Sequence, residues 1–411
     1  MTHIMMKLPN LSWWKSPALH KIVEALIDDR SEHARVVGGA VRNSLLGIDV
    51  SDIDLATRLR PEIVIEKLTA IGAKTIPTGI AHGTITAIID GEKFEITTLR
   101  RDVSTDGRHA TISFSDEWQD DATRRDFTIN ALYADVKTGQ IYDYFGGIDD
   151  LNRRNLIFIG DANERIKEDY LRILRYFRFL ILMDNVETDA ATLAACAHGA
   201  PNLRSISRER ISDEFQKILS KENIVISISA MQNAQIFDHF MPEIIPDAAE
   251  KIADLIKREK KLGISPKWQR RLAAILPHDP KLTYKIAARL KMSKKNMLLM
   301  AILSDRQEIN DINVRKLAFE HGLENATDIA LLYGHDDDYA AIISDIQKWE
   351  IPYFSLNGSQ LIDAGIEKGP KVSALVKQIK NKWMDCGFPA GQSFDELVNQ
   401  MISETKEFDK N

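Results

Sequence analysis

Two aspartates that flank an apolar residue are the strongest candidates for chemistry in this sequence: Asp52 and Asp54, on either side of Ile53. Successive side chains of a strand point to opposite faces, so a strand here would place both carboxylates on one face and Ile53 in the core. Two carboxylates this close repel each other, and a divalent cation relieves that repulsion. Hard oxygen ligands with open positions for phosphate oxygens suit Mg²⁺ in nucleotidyl transfer. The pair therefore predicts a metal site and a catalytic role.

The segment that precedes this pair has the composition of a phosphate cradle. Gly38 and Gly39 would let backbone N–H groups approach a triphosphate, and residues 40–46 predict a helix whose N-terminus faces that anion. Arg42 adds a positive charge to the same place. A lone pair of glycines or a lone D-x-D is more often a surface turn, but here each part supplies a different requirement of one reaction.

Further motifs follow in a fixed order. They are Arg124-Arg125-Asp126-Phe127-Thr128-Ile129-Asn130-Ala131, Asp143-x-x-Gly146-Gly147-x-x-Asp150-Leu151, Glu168-Asp169-Tyr170-Leu171-Arg172-Ile173-Leu174-Arg175 and Glu209-Arg210-Ile211-x-x-Glu214-Phe215. Together with the glycine segment and the aspartate pair, this series resembles the successive motifs of the bacterial and eukaryotic tRNA nucleotidyltransferase (CCA-adding enzyme) and poly(A) polymerase family. The resemblance covers roughly the first 220 residues, and its motifs are specific.

This resemblance implies an enzyme that adds C, C and A to the 3′ end of tRNA from CTP and ATP, without a nucleic-acid template. Two Mg²⁺ ions are expected, one to lower the pKa of the attacking 3′-hydroxyl and one to neutralise charge on the leaving pyrophosphate. The alternation Phe94-Glu95-Ile96 would place Glu95 beside the metal pair from a neighbouring strand, near the 3′-hydroxyl. The residues expected to bind the nucleotide are Gly38, Gly39, Arg42, Arg125, Asp126, Asn130, Asp169, Arg172, Arg175 and Arg178.

Selection of the base is predicted to depend on one helix. Asp169 and Arg172 are three residues apart and would share a helical face, with Glu168 close by. A carboxylate accepts from the exocyclic amino group of cytosine or adenine, and a guanidinium donates to the adjacent ring nitrogen; uracil and guanine present the reverse pattern. These residues should therefore reject UTP and GTP, because a wrong base leaves buried polar groups unpaired. The alternative for this spacing is a set of surface ion pairs.

The fold class predicted from the pattern of elements is α+β. With 411 residues and 44% hydrophobic content the chain can bury more than one core. A nucleotidyltransferase head on a small mixed or antiparallel sheet is expected at 1–150, followed by an all-helical neck that reads the base (151–225), a helical body (226–310) and a helical tail that binds tRNA (311–411). Predicted strands include 84–89, 94–98 and 132–136, and predicted helices include 164–182, 209–219 and 372–383.

Charge and cysteine use bear on partners and compartment. The net charge of −6 is unusual for an RNA-binding protein, but local patches decide such contacts, and a solvated helix face is the alternative for any basic run. The two cysteines lack metal-ligand spacing, and no apolar run approaches membrane-spanning length, so a cytoplasmic location without a membrane partner is expected. A phosphate-tracking RNA surface is predicted for Lys257, Arg258, Lys260, Lys261, Lys267, Arg270 and Arg271.

Two rival functions remain open at this level. A poly(A) polymerase would share the head, although such enzymes tend to carry basic extensions, whereas this chain is acidic overall. A non-catalytic RNA-binding protein on the same scaffold would gain nothing from clustered acids such as Asp52 and Asp54. A polar loop is predicted over residues 100–121. In the family that the chain resembles, enzymes that stop after two cytidines lack part of this loop, so its presence favours complete C-C-A addition.

Overall fold

The structure is a computed structural model that describes residues 7–8, 11–106, 109–183, 189–306, 308–334 and 338–408. The chain forms two compact units, Met1–Pro242 and Glu243–Asn411. Every strand within the described ranges belongs to the first unit. This distribution confirms the predicted α+β class, with a sheet-containing head followed by helices.

The first unit is built on a mixed sheet. Its strands are β1 (Arg35–Val37), β2 (Ile53–Thr57), β3 (Lys74–Gly79), β4 (Thr84–Ile89), β5 (Glu92–Thr98), β6 (Arg100–Asp106), β7 (His109–Phe114), β8 (Leu132–Asp135) and β9 (Ile141–Asp143). Seven of them form one sheet in the order β3-β4-β5-β2-β1-β8-β9, while β6 and β7 pair separately. Strands β2 and β5 run parallel, and the other neighbours run antiparallel.

Helices of the first unit cover this sheet and continue beyond it. They are α1 (Pro17–Ala25), α2 (Gly39–Leu45), α3 (Pro61–Ala70), α4 (Trp118–Thr123), α5 (Gly147–Arg153), α6 (Ala162–Glu168), α7 (Leu171–Leu180), α8 (Ala190–Gly199), α9 (Arg208–Leu219) and α10 (Val225–Asn233). Helix α2 packs on β1, β2 and β8, and α7 packs on α9 and α10. Short 3₁₀ turns occupy Trp13–Lys15, Ile80–His82, Thr128–Asn130, Ala200–Ser205 and Phe237–His239.

An aromatic cluster packs α7 against the segment that follows α4. Phe127 lies 4.6 Å from Phe158 and 5.5 Å from Phe179, measured between ring centroids. Tyr176 stacks on Phe158 at 6.2 Å. Phe127 follows Asp126 directly, and Tyr176 and Phe179 belong to α7. This packing therefore holds Asp126 in a fixed position relative to α7.

The second unit is helical throughout its described residues. Its helices are α11 (Ala248–Lys261), α12 (Trp268–Ala274), α13 (Pro280–Arg289), α14 (Lys294–Leu303), α15 (Asp311–His321), α16 (Leu323–Tyr333), α17 (Asp338–Ile346), α18 (Gly358–Asp363), α19 (Pro370–Asp385) and α20 (Gln392–Phe408). Helices α18, α19 and α20 share one apolar core with Leu361, Leu375 and Ile379 at its centre.

Two expectations about local structure are wrong. The loop expected over residues 100–121 is instead the β6–β7 pair followed by the start of α4, because strand pairing uses backbone groups that a polar composition does not reveal. The single helix expected over 164–182 is divided into α6 and α7. Asp169 is extended (φ −155°, ψ 104°), and its carboxylate accepts from the backbone N–H of Leu171 at 3.1 Å, so it ends α6 and begins α7.

Candidate active site

The three predicted carboxylates lie close together on β5, on β2 and just before β2, in the interior of the sheet, and form a carboxylate cluster. Asp54 on β2 is paired in register with Glu95 on the parallel strand β5. Neighbouring strands lie about 4.8 Å apart and registered residues share a face, so these two carboxylates are lateral neighbours. Asp52 is exposed just before β2, and its carboxylate accepts from Ser51 Oγ at 2.8 Å. The three side chains of the carboxylate cluster therefore concentrate negative charge.

The carboxylate cluster suits a divalent cation that is bound together with a substrate. The Asp54 side chain is exposed to solvent. The desolvation that the surrounding protein still imposes, followed by the charges of Glu95 and Asp52, raises the pKa of Asp54. Lys93 offsets part of that charge through an ion pair with Glu95 at 2.8 Å. Among the described residues, no three His, Cys, Asp or Glu side chains could hold a metal by themselves. Mg²⁺ commonly takes one or two carboxylates and completes its shell with water and substrate phosphates, and this donor set fits that pattern.

Asp54 also lines a cavity of about 590 Å³ in the first unit. All ten residues predicted to bind the nucleotide line it as well: Gly38, Gly39, Arg42, Arg125, Asp126, Asn130, Asp169, Arg172, Arg175 and Arg178. Arg100 and Phe179 also line it and were not singled out from the sequence, whereas Arg124, Leu171 and Arg210 belong to the motifs quoted above but were not predicted to bind the nucleotide. Eight arginines and three aspartates line this cavity, and such an excess of guanidinium groups suits a triphosphate.

Gly38 shapes the cavity by its conformation. Its φ is +69°, and a Cβ at this position would lie 3.2 Å from Arg125 Nη1 and 3.4 Å from the Asn130 carbonyl oxygen. Its backbone N–H donates to the Leu132 carbonyl at 2.9 Å. The Gly38 amide is therefore already engaged, contrary to the expected role of that N–H as a phosphate donor, and the residue serves to let Arg125 approach the backbone.

Gly38→Ala is expected to raise the KM for the nucleotide substrates, because the added Cβ would push Arg125 away from its position in the cavity. It is also expected to cost about 1–3 kcal/mol of stability, because alanine is strained at this positive φ. Gly47→Ala is the matched control, since Gly47 has the same φ of +69° but open space around its Cβ position. Denaturant unfolding and steady-state kinetics would compare the two variants. A nucleotide KM that rises equally in both variants would contradict the explanation that displacement of Arg125 weakens nucleotide binding.

Asp126 connects two other residues of the cavity wall, Asn130 and Arg175. It is buried, and its Oδ1 accepts from Asn130 Nδ2 at 2.9 Å while its Oδ2 accepts from Arg175 Nε at 2.6 Å. Burial alone would raise the pKa of Asp126, but Arg175 and the hydrogen bonds outweigh it and lower that pKa. Asp126 therefore positions Asn130 and Arg175.

Asp121 supports the same wall from α4 and was not predicted. Its buried carboxylate accepts from Arg124 Nε at 2.8 Å, Arg125 Nη2 at 3.1 Å and Tyr133 Oη at 2.7 Å. Burial acts to raise the pKa of Asp121, but Arg124 and Arg125 lower it to about 2. The sequence signal was present, because Asp121 stands three and four residues before the two arginines.

Asp121→Asn is expected to weaken the fold at neutral pH by about 2–3 kcal/mol and to flatten its acid dependence. The pKa of Asp121 is depressed in the folded state, so its contribution is present above the ordinary pKa of an aspartate and is lost as the pH falls from about 4 towards 2. Urea unfolding at pH 7, 4 and 3 would measure this. Asp116→Asn, which alters an exposed carboxylate, is the control, and equal acid dependence in both variants would contradict the prediction.

The residues predicted to select the base are already engaged with other side chains. Asp169 Oδ2 accepts from Arg210 Nη2 at 2.6 Å, and Arg172 pairs with Glu168. Glu168 does not line the cavity, so its expected direct role in base selection is not supported; its carboxylate is engaged by Arg165 and Arg172. Asp169 and Arg172 both line the cavity, although Asp169 precedes α7 and does not share its helical face.

A second pair of arginines lines the cavity beside Phe179. Arg178 pairs with the buried Glu214 of α9 and lies over the Phe179 ring at 4.3 Å. Arg42 donates to Asn130 and lies 4.8 Å from the same ring. Burial, aided by the charge of Arg178, lowers the pKa of Arg42 to about 10, so it remains protonated at neutral pH.

Three residues of the predicted RNA surface are not available to RNA. Arg270 and Arg271 are 2% and 1% exposed and pair with the buried Glu259, while Lys267 pairs with Asp328 at 2.5 Å. A buried guanidinium cannot track phosphates. Lys257, Lys260 and Lys261 are exposed on α11, and Arg258 donates to the Leu331 carbonyl at 2.8 Å.

An arginine-lined cavity beside the carboxylate cluster, on this fold, is the arrangement expected of a nucleotidyltransferase. Residues 34–157 match the poly A polymerase head domain, and residues 185–247 match the probable RNA and SrmB-binding site of polymerase A. Enzymes of this reaction class use divalent metal ions.

Full-length relatives are more specific. The chain is 34% identical over 395 residues to the human mitochondrial CCA tRNA nucleotidyltransferase 1, covering 93% of this chain and 89% of that protein. It is 32% identical over 390 residues to a CCA-adding enzyme of Streptococcus pyogenes, covering 92% and 93%. The solved structure of the Bacillus stearothermophilus CCA-adding enzyme in complex with CTP is similar, with a TM-score of 0.73, 25% identity and coverage of 95% of this chain and 100% of that one. The chain belongs to the CCA tRNA nucleotidyltransferase family.

No helix among the described residues combines the length and the apolar character needed to cross a membrane.

Proposed function

We propose that this protein adds C, C and A to the 3′ end of tRNA from CTP and ATP, by attack of the terminal 3′-hydroxyl on the α-phosphate. The observation that carries this proposal is that Asp54 and the residues Asp169 and Arg172 line a single cavity. Groups suited to metal-assisted transfer and groups suited to reading a base therefore reach the same nucleotide. Similarity to CCA-adding enzymes over most of both chains supports the same reaction.

The arginines of the cavity would hold the triphosphate. Arg42 and Arg178 flank Phe179, and Arg175 is fixed by Asp126. Guanidinium groups bind phosphate oxygens through paired N–H donors, and groups that are already positioned lose little freedom when the nucleotide arrives. Arg125, held by Asp121 and Tyr133, would stabilise the charge that develops at the α-phosphate.

We propose Mg²⁺ as the metal, with two ions held by Asp52 and Asp54 and with Glu95 facing the attacking hydroxyl. When bound, these ions lower the pKa of the 3′-hydroxyl and neutralise charge on the departing pyrophosphate. The protein supplies the register of β2 and β5, which keeps Asp54 beside Glu95.

Base selection is assigned to Asp169 and Arg172. Asp169 would accept from the exocyclic amino group of cytosine or adenine, and Arg172 would donate to the adjacent ring nitrogen. Both side chains are partly buried and have polar partners before a nucleotide binds, so a base that displaces those partners without replacing their hydrogen bonds leaves polar groups of the cavity unpaired.

For the rest of the chain, we propose the head, neck, body and tail divisions predicted from the sequence, with tRNA contacts on α11 through the exposed Lys257, Lys260 and Lys261. The cytoplasmic location stays a prediction, because the human relative is named as mitochondrial and the streptococcal relative is bacterial.

The proposal is tested by incubating the purified protein with Mg²⁺, each labelled nucleotide singly and in mixture, and tRNA that lacks its 3′ end. The expected result is addition of C, C and A followed by arrest, abolished in Asp52→Ala/Asp54→Ala. A long A tract would move the assignment to a poly(A) polymerase. Binding of tRNA without incorporation would move it to a non-catalytic RNA-binding protein.

A further inference from the structure

Arg165 connects the base-selecting residues to the phosphate-binding motif, although it does not line the cavity. It lies on α6, and its Nη1 donates to the two carboxylate oxygens of Glu168 at 2.8 and 2.5 Å. Its Nη2 donates to the backbone carbonyl of Arg125 at 2.5 Å. Its own backbone carbonyl accepts from Arg172 Nη1 at 2.8 Å. One residue therefore contacts Glu168, Arg125 and Arg172.

Glu168 completes the arrangement around Arg172. The Glu168 carboxylate that Arg165 holds also accepts from Arg172 Nη1. Arg172 Nη2 reaches the backbone carbonyl of Arg124 at 3.3 Å. Because a guanidinium is planar, with donors in a fixed fork, fixing two of its nitrogens sets the direction of the remaining donors. The direction in which Arg172 faces the base therefore depends on Glu168, and Glu168 depends on Arg165.

Burial makes this arrangement a stronger constraint than a surface ion pair. The side chains of Arg165 and Arg172 are each 11% exposed, and that of Glu168 is 27% exposed. The two guanidinium groups donate to the same oxygen, Glu168 Oε2, and burial together with the charge of Arg172 lowers the pKa of Arg165. On the same helix, Lys167 and Glu164 form an ordinary pair whose side chains are 60% and 66% exposed. Exposed pairs of that kind contribute little.

We propose that Arg165 is a positioning residue for base selection. Its hydrogen bonds to Glu168 and to the Arg125 carbonyl hold Arg172 in the orientation that faces the base. The Arg124-Arg125-Asp126 segment binds the phosphates at the same time. This inference rests on the proposed function. Without the Arg165 side chain, Arg172 keeps its charge and its two backbone partners, but Glu168 is no longer held beside it and the direction of Arg172 is less well fixed. Discrimination between bases should therefore fall more than triphosphate binding.

The test compares Arg165→Gln with Lys167→Gln, its matched control on α6. The kcat/KM for CTP and UTP is measured on tRNA lacking its 3′ end, and the kcat/KM for ATP and GTP on tRNA ending in two cytidines. In Arg165→Gln the CTP/UTP and ATP/GTP ratios are expected to fall about tenfold or more. Inhibition by tripolyphosphate should stay within about twofold, and both ratios in Lys167→Gln should stay within about twofold of the unmodified protein.

Two further variants separate positioning from general damage. Arg165→Lys keeps the charge but lacks the planar fork, so it should recover only part of the discrimination. Arg165→Gln/Glu168→Gln should discriminate no worse than the more affected single variant, because both changes break one connection to Arg172. Thermal unfolding of every variant identifies those that remain folded, and if Arg165→Gln is unfolded, Arg165→Lys carries the test.

The outcomes for the two proposals are distinct. Equal loss of kcat/KM for all four nucleotides, with both ratios unchanged, would overturn the positioning role of Arg165. An unmodified protein that adds nothing to tRNA would overturn the proposed function instead.

Discussion

Asp54→Asn is expected to lower kcat for both cytidine and adenosine addition by about three orders of magnitude, the largest effect on activity that this site allows. The substitution would keep the shape of the side chain and remove one charge from the pair that is expected to hold the metal. CTP binding without added metal should be unchanged or tighter, because the arginines of the cavity remain and a like charge beside the phosphates is gone. Single-turnover kinetics and equilibrium binding would measure the two effects separately.

The stability of this variant provides a second readout. In the unmodified protein Asp54 lies beside Glu95 and near Asp52, and removal of one charge relieves their repulsion, so the Tm without metal should not fall. Added Mg²⁺ with CTP should raise the Tm of the unmodified protein more than that of the variant. Asp49→Asn, which alters an exposed carboxylate in the loop before β2, is the control. A parallel loss of CTP binding, or a fall in kcat of less than about tenfold, would contradict the assignment.

The sequence predicted the first unit well because its strands and glycines follow local rules. The period-two alternation around Asp54 and around Glu95 indicated two strands with their carboxylates on one face, and the parallel register joins them. Gly38 was predicted to bring its backbone N–H to a triphosphate, but in the structure its glycine conformation lets Arg125 approach from a distant segment, which no local pattern encodes.

The misses depend on which partners the side chains find, some of them nearby in the sequence and some far along the chain. Asp169 was expected on a continuous helix, and the helix is interrupted there because its carboxylate caps α7 and pairs with Arg210. Glu168 was expected to face the base, and its partners Arg165 and Arg172 direct it elsewhere. Spacing alone indicates which side chains can share a face, whereas tertiary partners decide which of them remain free.

The basic run of the second unit was misread for the same reason, and this leads to the largest expected effect on stability. Glu259 is 2% exposed, and its two carboxylate oxygens accept from Arg270 Nη2 at 2.6 Å and from Arg271 Nη2 at 2.7 Å. Arg270 Nη1 also donates to the buried Asp328 at 2.6 Å. Glu259→Gln would leave two buried guanidinium groups with a single buried carboxylate. The expected cost is about 3–5 kcal/mol of unfolding free energy.

Glu324→Gln is the matched control for Glu259→Gln, because Glu324 also joins this network, through Lys267, but is 80% exposed. Its expected cost is below about 1 kcal/mol. Denaturant unfolding would measure both variants, and hydrogen exchange should show the loss of protection in α11, α12 and α16, where the network lies. Equal stability of the two variants would mean that the arginines find water or other partners when Glu259 is neutral. A cost confined to Glu259→Gln would identify Arg270 and Arg271 as structural cations, and the exposed lysines of α11 would then remain from the predicted RNA surface.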